Sequence, residues 1–159
     1  AQARLLSRRL YGMYARELFL GGADRDFLEA ENYFQTQVAS PDRSTDEITE
    51  GCCVAAKAAR LRGDAVSFFK YTSKVIAGDG CSEICCELGH FYEETGDFEE
   101  AAVWYYNAAY ETQPVLALRS SEEEPLQGLI RCYEQLGLPA QARSYAEELK
   151  HRQNEQTDN

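Results

Sequence analysis

The feature that most constrains the fold is the stretch from Ser82 to Pro114, where small and large apolar residues stand at fixed offsets. Apolar residues recur every three or four positions on both sides of Gly96-Asp97, which predicts two amphipathic helices joined by a tight turn. Gly96 can end the first helix in the left-handed conformation, Asp97 can cap the second, and Glu100 can complete a capping box. The two helices would touch at small residues and be flanked there by large ones: Gly89, Ala101, Tyr92, Phe98 and Tyr105.

The same pattern recurs along the chain with a period of about one helical hairpin. Residues 45–79 repeat it around Gly63-Asp64, and Ser44 with Glu47 predicts a capping box before that hairpin. We therefore predict an all-α fold of four hairpins and eight helices, stacked into a right-handed superhelix whose concave face is formed mainly by the first helix of each pair. The repeats cover about 8–40, 45–79, 82–114 and 122–152, and the helices about 4–20, 26–39, 46–61, 64–77, 82–94, 98–112, 122–136 and 139–152.

Two segments depart from this period. An insertion at Val115–Ser121 separates the third and fourth repeats, and its Val-Leu-Ala-Leu sequence favours packing over exposure to solvent. The polar residues 153–159 are expected to form a disordered tail. Residues 1–152 are therefore predicted to form a single repeat domain.

The spacing of Leu88-Gly89, Tyr92, Gly96-Asp97, Ala101, Tyr105, Ala108 and Pro114 resembles the tetratricopeptide repeat. Residues 11–150 also resemble the tetratricopeptide region that follows the catalytic domain in certain bacterial family-2 glycosyltransferases. That similarity is carried by Ala15-Arg16-Glu17-Leu18, Cys85-Cys86, Gly96-Asp97, Trp104-Tyr105 and Cys132-Tyr133. It implies a C-terminal accessory domain of a cytoplasmic sugar-transfer enzyme. Because the chain starts at Ala1, we expect an excised fragment that lacks the catalytic part.

The charge is strongly and unevenly acidic, with a formal net charge of −11. Residues 79–124 contain twelve acidic residues and one Lys or Arg, Arg119. Such a segment disfavours nucleic acid and anionic membrane surfaces as partners, and we expect it to lie mainly on outer helices and turns. No apolar run approaches the roughly 20 residues of a membrane span.

Six cysteines are many for this length, and Cys52-Cys53 recurs one repeat later as Cys85-Cys86. Vicinal pairs on helices are poorly placed to bridge each other, and a reducing cytoplasm fits better than export. Disulfides, a zinc site and a redox role are the alternatives. The recurrence favours small apolar side chains at equivalent packing positions, so we expect free, mostly buried thiols with neither disulfide nor zinc.

No catalytic constellation emerges from the motifs. Asp24-Arg25-Asp26 has the Asp-x-Asp form with which glycosyltransferases hold a metal and a nucleotide sugar, but it lies in a predicted helix–helix turn rather than at a strand end. His90 with Glu93 and Glu94 lacks a pocket and a third group. We therefore expect no catalytic residue, cofactor or metal in this fragment, whatever its parent protein does.

A row of basic side chains is the main candidate for binding. The ninth position of each repeat carries Arg16, Lys57, His90 and Arg131, and this position is expected to face the concave side. Two further candidates for the same surface are Arg9 and Arg60. The row can receive carboxylate or phosphate groups of a ligand. Alternatively, it pairs across neighbouring repeats with the second-position Glu50, Glu83 and Glu124. Glu93 and Glu134, three residues after His90 and Arg131, can also neutralise it.

Two classes of function follow from these observations. The first is an interaction scaffold whose concave groove takes a protein or peptide, possibly acidic, or the catalytic domain of its own chain. The second is a regulatory or acceptor-positioning part of a glycosyltransferase activity. An upstream α/β domain with an Asp-x-Asp at a strand end would favour the second class.

Overall fold

A computed structural model of the chain describes Phe19, residues 44–116 and residues 120–157. Within this part the protein contains six α-helices, one π-helical segment and no strand, which confirms the all-α prediction there. Apart from Phe19, the expected first hairpin lies outside the described residues, as do Arg9, Arg16 and Asp24-Arg25-Asp26. The helices are α1 (Thr45–Leu61), α2 (Ala65–Ile76), α3 (Ser82–Glu94), α4 (Phe98–Tyr106), α5 (Ser120–Gln135) and α6 (Pro139–Thr157), with the π-helical segment at Asn107–Glu111 between α4 and α5.

Consecutive helices pack as hairpins, and the hairpins pack on one another. Helix α1 contacts α2, α3 contacts α4, and α5 contacts α6, while the first helices of successive pairs also meet, α1 with α3 and α3 with α5. The three described hairpins are those predicted for residues 45–152. The count of eight helices and the superhelix stay predictions. Among the described helices, none combines the length and apolar character needed to cross a bilayer.

The turns inside the hairpins have the predicted capping chemistry. Gly63, Gly96 and Gly137 adopt φ values of 80°, 84° and 73°, a left-handed conformation that glycine adopts without steric cost. The Asp64 and Asp97 side chains then accept the backbone N–H of the residue three positions later, at 3.1 and 3.2 Å. One detail of the prediction is wrong, because Glu100 does not reach back to Asp97 and instead accepts the indole N–H of Trp104 at 3.2 Å.

Helix α6 continues through most of the segment expected to be disordered, since it ends only at Thr157. The segment is polar, but it contains neither glycine nor proline, and its Gln and Glu residues propagate a helix readily. The carboxylate of Glu148 accepts the Arg152 Nε–H at 2.9 Å one turn away, and Gln156 donates to Glu122 of α5 at 2.9 Å. Composition alone was therefore a poor guide to where this helix stops.

The ring of Tyr105 on α4 lies between two glycines of the neighbouring first helices. A Cβ atom added to Gly89 of α3 or to Gly128 of α5 would lie 2.6 Å from ring carbons of Tyr105, on either side. The ring is fully buried. This confirms the predicted role of Gly89 as a small residue at a helix contact, and it adds Gly128, which joins the next hairpin to the same ring.

The insertion after the third repeat packs as predicted at its described residues. Leu116 is buried, and the backbone N–H groups of Val115 and Leu116 donate to the carboxylate of Glu83 at 3.0 and 2.6 Å. Glu83 is therefore not an outward-facing charge. Since Glu87 is also buried, the expectation that the acidic segment lies mainly on outer surfaces is wrong for these two residues.

All six cysteines are free and buried, as predicted. Cys52 and Cys53 belong to a core cluster around α1–α3, and Cys85 and Cys86 occupy a second cluster around α3–α5. Burial raises the pKa of the Cys52 and Cys85 thiols to about 11 and that of Cys132 to about 12.

These thiols should react with an alkylating reagent only when the protein opens. Because the thiolate is the reactive species and burial disfavours it, we expect little labelling of the folded chain near pH 8 and complete labelling in urea. Mass spectrometry of the alkylated protein measures both states. Rapid modification of several cysteines in the folded chain would contradict this packing.

Gly89→Ala should destabilise the protein by about 1–2 kcal/mol, because the overpacking against a ring held on both sides exceeds the gain in helix propensity. Urea unfolding measures the change. Gly78→Ala is the matched control, since its Cβ would meet only the Val75 carbonyl oxygen at 3.6 Å, and we expect a change within about 0.5 kcal/mol. An equal effect of the two substitutions would contradict the close contact.

Candidate functional site

The candidate site is a row of charged and polar side chains on the first helices of the three described hairpins, α1, α3 and α5, together with Tyr105 of α4. It contains the described members of the predicted basic row and the carboxylates that face them. We call it the polar row. Its members are Lys57, Arg60, Glu87, His90, Glu93, Glu94, Tyr105, Glu124 and Arg131.

The α1 end of the row holds two basic side chains with different partners. Lys57 is half-buried, donates from Nζ to the backbone carbonyl of Phe19 at 2.6 Å, and lies 4.3 Å from the centroid of the Phe19 ring. Arg60 donates from Nε to Glu87 Oε2 of α3 at 2.6 Å, and its Nη1 also bonds Glu94. The side chains of Arg60 and Glu87 are only 9% and 3% exposed, so this is a largely buried ion pair between neighbouring hairpins.

His90 lies at the centre of the row with a polar partner on each ring nitrogen. Its Nε2 is 2.5 Å from Glu124 Oε1 on α5 and 3.7 Å from Cys86 Sγ on α3. Its Nδ1 is 2.7 Å from the hydroxyl oxygen of Tyr105. The imidazole therefore connects the α3–α4 hairpin to the α5–α6 hairpin.

Arg131 of α5 closes the row on the opposite side of Tyr105. Its Nε and Nη2 donate to the two carboxylate oxygens of Glu93 at 2.9 and 3.0 Å, a bidentate pair. The Tyr105 hydroxyl donates to Glu93 Oε1 at 2.7 Å. A continuous chain of hydrogen bonds thus runs from Glu124 through His90, Tyr105 and Glu93 to Arg131.

These contacts set the charge states of the row. Burial acts to raise the pKa of Glu93, but hydrogen bonds from Arg131 and Tyr105 outweigh it and the pKa is lowered. Burial likewise opposes ionisation of Glu124, yet the hydrogen bond with His90 leaves its pKa lowered. Burial, together with the hydrogen bond to Glu93, raises the pKa of Tyr105 far above its usual value. Near neutral pH the two glutamates are therefore ionised and the phenol is neutral.

The described part of the predicted row pairs across neighbouring repeats, the second of the two alternatives raised by the sequence. Arg60 pairs with Glu87 and Glu94, His90 with Glu124, and Arg131 with Glu93. Most of these carboxylates are not the second-position residues that the sequence suggested. Ligand binding by Lys57, His90, Arg131 and Arg60 stays a prediction, and an anionic ligand would have to compete with carboxylates already in place.

One grouping at this site was not predicted from the sequence. The sequence suggested His90 with Glu93 and Glu94, whereas in the structure Cys86 Sγ, a His90 ring nitrogen and a Glu124 carboxylate oxygen all lie within 4.8 Å of one another. The spacing of Cys86 and His90, four residues apart on one helix, was the available signal. Glu124 was suggested only as a second-position partner of the basic row.

No protein-family model matches the chain, and no curated protein or solved structure matches it. The resemblances to tetratricopeptide repeats and to a glycosyltransferase accessory region therefore remain expectations drawn from the residues themselves.

Breaking the buried pair at Arg60 should cost far more than breaking a similar pair at the surface. Arg60→Met leaves the buried Glu87 carboxylate without its main partner, which typically costs about 3–5 kcal/mol. The control is Arg62→Met, whose pair with Asp64 is 27% and 31% exposed and should contribute about 0–1 kcal/mol. Urea unfolding compares the two variants.

A second substitution separates charge burial from lost packing. Arg60→Met with Glu87→Leu removes both charges, so it should recover much of the stability lost in the single variant. Equal losses for Arg60→Met and Arg62→Met, or no recovery in the double variant, would contradict a buried ion pair.

Proposed function

We propose that this chain is an interaction scaffold, whose helical hairpins present a binding surface to a protein partner and do not themselves catalyse a reaction. The main support for this proposal is an open apolar groove. One side of the groove is α4, and the other side is the end of α5 together with the turn that follows α5. The groove has a volume of about 440 Å³. It is lined by Glu99, Ala102, Val103, Tyr106, Asn107, Tyr133, Leu136 and Leu138.

The groove exposes large apolar side chains to water, which does not stabilise an isolated chain. Val103 is 55% exposed and Tyr106 is 43% exposed, although both lie on a helix whose other face is in the core. Clustered exposure of this kind marks binding surfaces more often than single exposed residues do. The groove therefore supports a docking role for the second helices of the hairpins.

A strip of tyrosines extends the groove across α4 and α6. The ring centroids of Tyr106 and Tyr110 are 4.9 Å apart, those of Tyr110 and Tyr145 6.4 Å, and those of Tyr145 and Tyr133 5.6 Å. Tyrosine is enriched in the buried centres of protein interfaces, because it combines a large apolar ring with a hydroxyl group. This strip and the groove together form one continuous surface.

The occupant that best fits this surface is an amphipathic helix or peptide with apolar residues flanked by Lys and Arg. Glu99 lines the groove, and the first turn of α4 also carries Glu100 beside the capping Asp97. Such a field attracts basic segments and repels acidic ones. The polar row fits an acidic partner less well, because its described cations are engaged by carboxylates or by the Phe19 carbonyl.

The resemblance of residues 11–150 to a glycosyltransferase accessory region supports a specific setting for this scaffold, as the accessory domain of such an enzyme. In that setting the fragment is cytoplasmic and bacterial, and the basic segment belongs to the catalytic domain of the same family-2 glycosyltransferase. A regulatory or acceptor-positioning role would use the same domain. The reading frame before Ala1 would test the setting, since it should encode an α/β domain with an Asp-x-Asp at a strand end.

The docking surface can be tested with two labelled amphipathic peptides that share a leucine face and differ in their polar face, one with lysines and one with glutamates. We expect the lysine peptide to bind, with an affinity that falls as salt is added. Val103→Lys should weaken binding by about tenfold or more, because it places a like charge in the apolar wall. Fluorescence anisotropy measures the affinities.

Val66→Lys is the matched control, because Val66 is another exposed valine on a second helix, 84% exposed and outside the groove. It should leave the affinity unchanged. Failure of the lysine peptide to bind, or equal weakening by both lysine substitutions, would refute the groove as the docking surface. Preferred binding of the glutamate peptide, lost in Lys57→Glu with Arg131→Glu, would instead favour the polar row.

A further inference from the structure

We propose that Cys86, His90 and Glu124 form a binding site for one zinc ion, which links helix α3 to helix α5. This site is separate from the apolar groove and does not depend on the scaffold function. It replaces the expectation from the sequence that no metal binds here.

The two ligands on α3 are already spaced for zinc. Cys86 and His90 stand four residues apart and therefore share one face of the helix. Cys86 Sγ lies 3.7 Å from His90 Nε2. With Zn–S near 2.3 Å and Zn–N near 2.0–2.1 Å, tetrahedral coordination requires a sulfur–nitrogen separation of about 3.6 Å. The separation of the two atoms therefore fits that of two ligands on one tetrahedral ion.

The third ligand comes from the next hairpin and has room to adjust. Glu124 Oε1 lies 2.5 Å from His90 Nε2, closer than the roughly 3.3 Å that separates two tetrahedral ligands. The oxygen must therefore move away from Nε2 by at least about 0.8 Å to admit the ion. The Glu124 side chain is 38% exposed, so rotation about its own bonds can supply this movement.

The hydrogen bonds around His90 leave its Nε2 facing Glu124. The Tyr105 hydroxyl donates to Glu93, whose carboxylate also accepts two bonds from Arg131. His90 Nδ1 lies 2.7 Å from the Tyr105 oxygen, and Nε2 lies 2.5 Å from Glu124 Oε1. With Nδ1 donating to Tyr105, Nε2 is the nitrogen available to an ion, which can take the place of the hydrogen bond between His90 and Glu124.

The same bonds form the outer support that histidine ligands of zinc usually have. A metal-bound histidine almost always donates its other ring N–H to an oxygen, which fixes its tautomer and orientation. Here Tyr105 performs that task, and its buried ring is held between Gly89 and Gly128. The imidazole is therefore oriented by the packing of the core rather than by a flexible loop.

The chemistry of the ligand set favours zinc over magnesium or calcium. Thiolate and imidazole are soft or borderline ligands, which suit zinc, whereas magnesium and calcium prefer sets made of oxygen. A thiolate and a carboxylate together balance the two positive charges of the ion. Zinc sites with three protein ligands take water in the fourth tetrahedral position.

Binding requires the Cys86 thiol to lose its proton to solvent as the zinc–sulfur bond forms. Burial raises the pKa of this thiol well above its usual value. We therefore expect zinc affinity to increase with pH, because metal and proton compete for the same sulfur.

Cobalt and zinc titrations of the 159-residue chain test the site. Cobalt should give the visible absorption of a tetrahedral ion and a thiolate charge-transfer band, and zinc should bleach both at one equivalent per chain. Cys86→Ala should abolish the charge-transfer band. Glu124→Gln, at a partly exposed position, should weaken zinc binding by about tenfold or more, as loss of a ligand does.

Cys85→Ala is the matched control, because it removes a buried thiol from the adjacent position of the same helix and should leave both spectra and stoichiometry unchanged. Circular dichroism establishes that each variant is folded, and Glu124→Gln keeps the test valid if Cys86→Ala does not fold. Absence of a thiolate band in the unmodified chain would refute the proposal. Equal cobalt binding by the Cys85→Ala, Glu124→Gln and unmodified chains would refute it as well.

Discussion

The packing of the Tyr105 ring between Gly89 and Gly128 is the contact on which the rest of the described structure depends. The ring belongs to a second helix, α4, and touches first helices on both sides, α3 and α5. It therefore sets how closely the third and fourth repeats approach each other. Its hydroxyl reaches His90 and Glu93, so the same side chain also determines the geometry of the polar row. Packing and polar chemistry are coupled through one residue.

This coupling explains why the basic row is a less favourable binding surface than its sequence suggests. Once α3 and α5 are held at this distance, Arg131 meets Glu93 and His90 meets Glu124. A ligand carboxylate would replace interactions that already exist, and it would gain only the difference between them. The groove beside Val103 and Tyr106, in contrast, is lined mainly by apolar side chains. Its apolar area faces water, and covering it releases that area from solvent at about 25 cal/mol per Å².

Local features of the fold could be predicted from the sequence, whereas contacts between hairpins could not. Gly96, Asp97 and the bounds of α3 follow from turn chemistry and helical period, which depend on residues close in the chain. The role of Gly128 depends on which ring meets it from α4, and the partner of Arg131 depends on side-chain directions across two helices. Glu83 was misjudged for a similar reason, because the backbone N–H groups that bury it belong to an insertion more than 30 residues away.

The dependence on Tyr105 is tested most directly by measuring the cost of Gly128→Ala in two backgrounds, with and without Tyr105→Leu, in a double-mutant cycle of urea unfolding. In the unmodified background the added methyl meets the ring and should cost about 1–3 kcal/mol. In the Tyr105→Leu background the obstacle is gone, so the helix propensity of alanine should make the same change neutral or stabilising by up to about 1 kcal/mol. Equal costs in the two backgrounds, within about 0.5 kcal/mol, would contradict the claim that this ring sets the spacing of the hairpins.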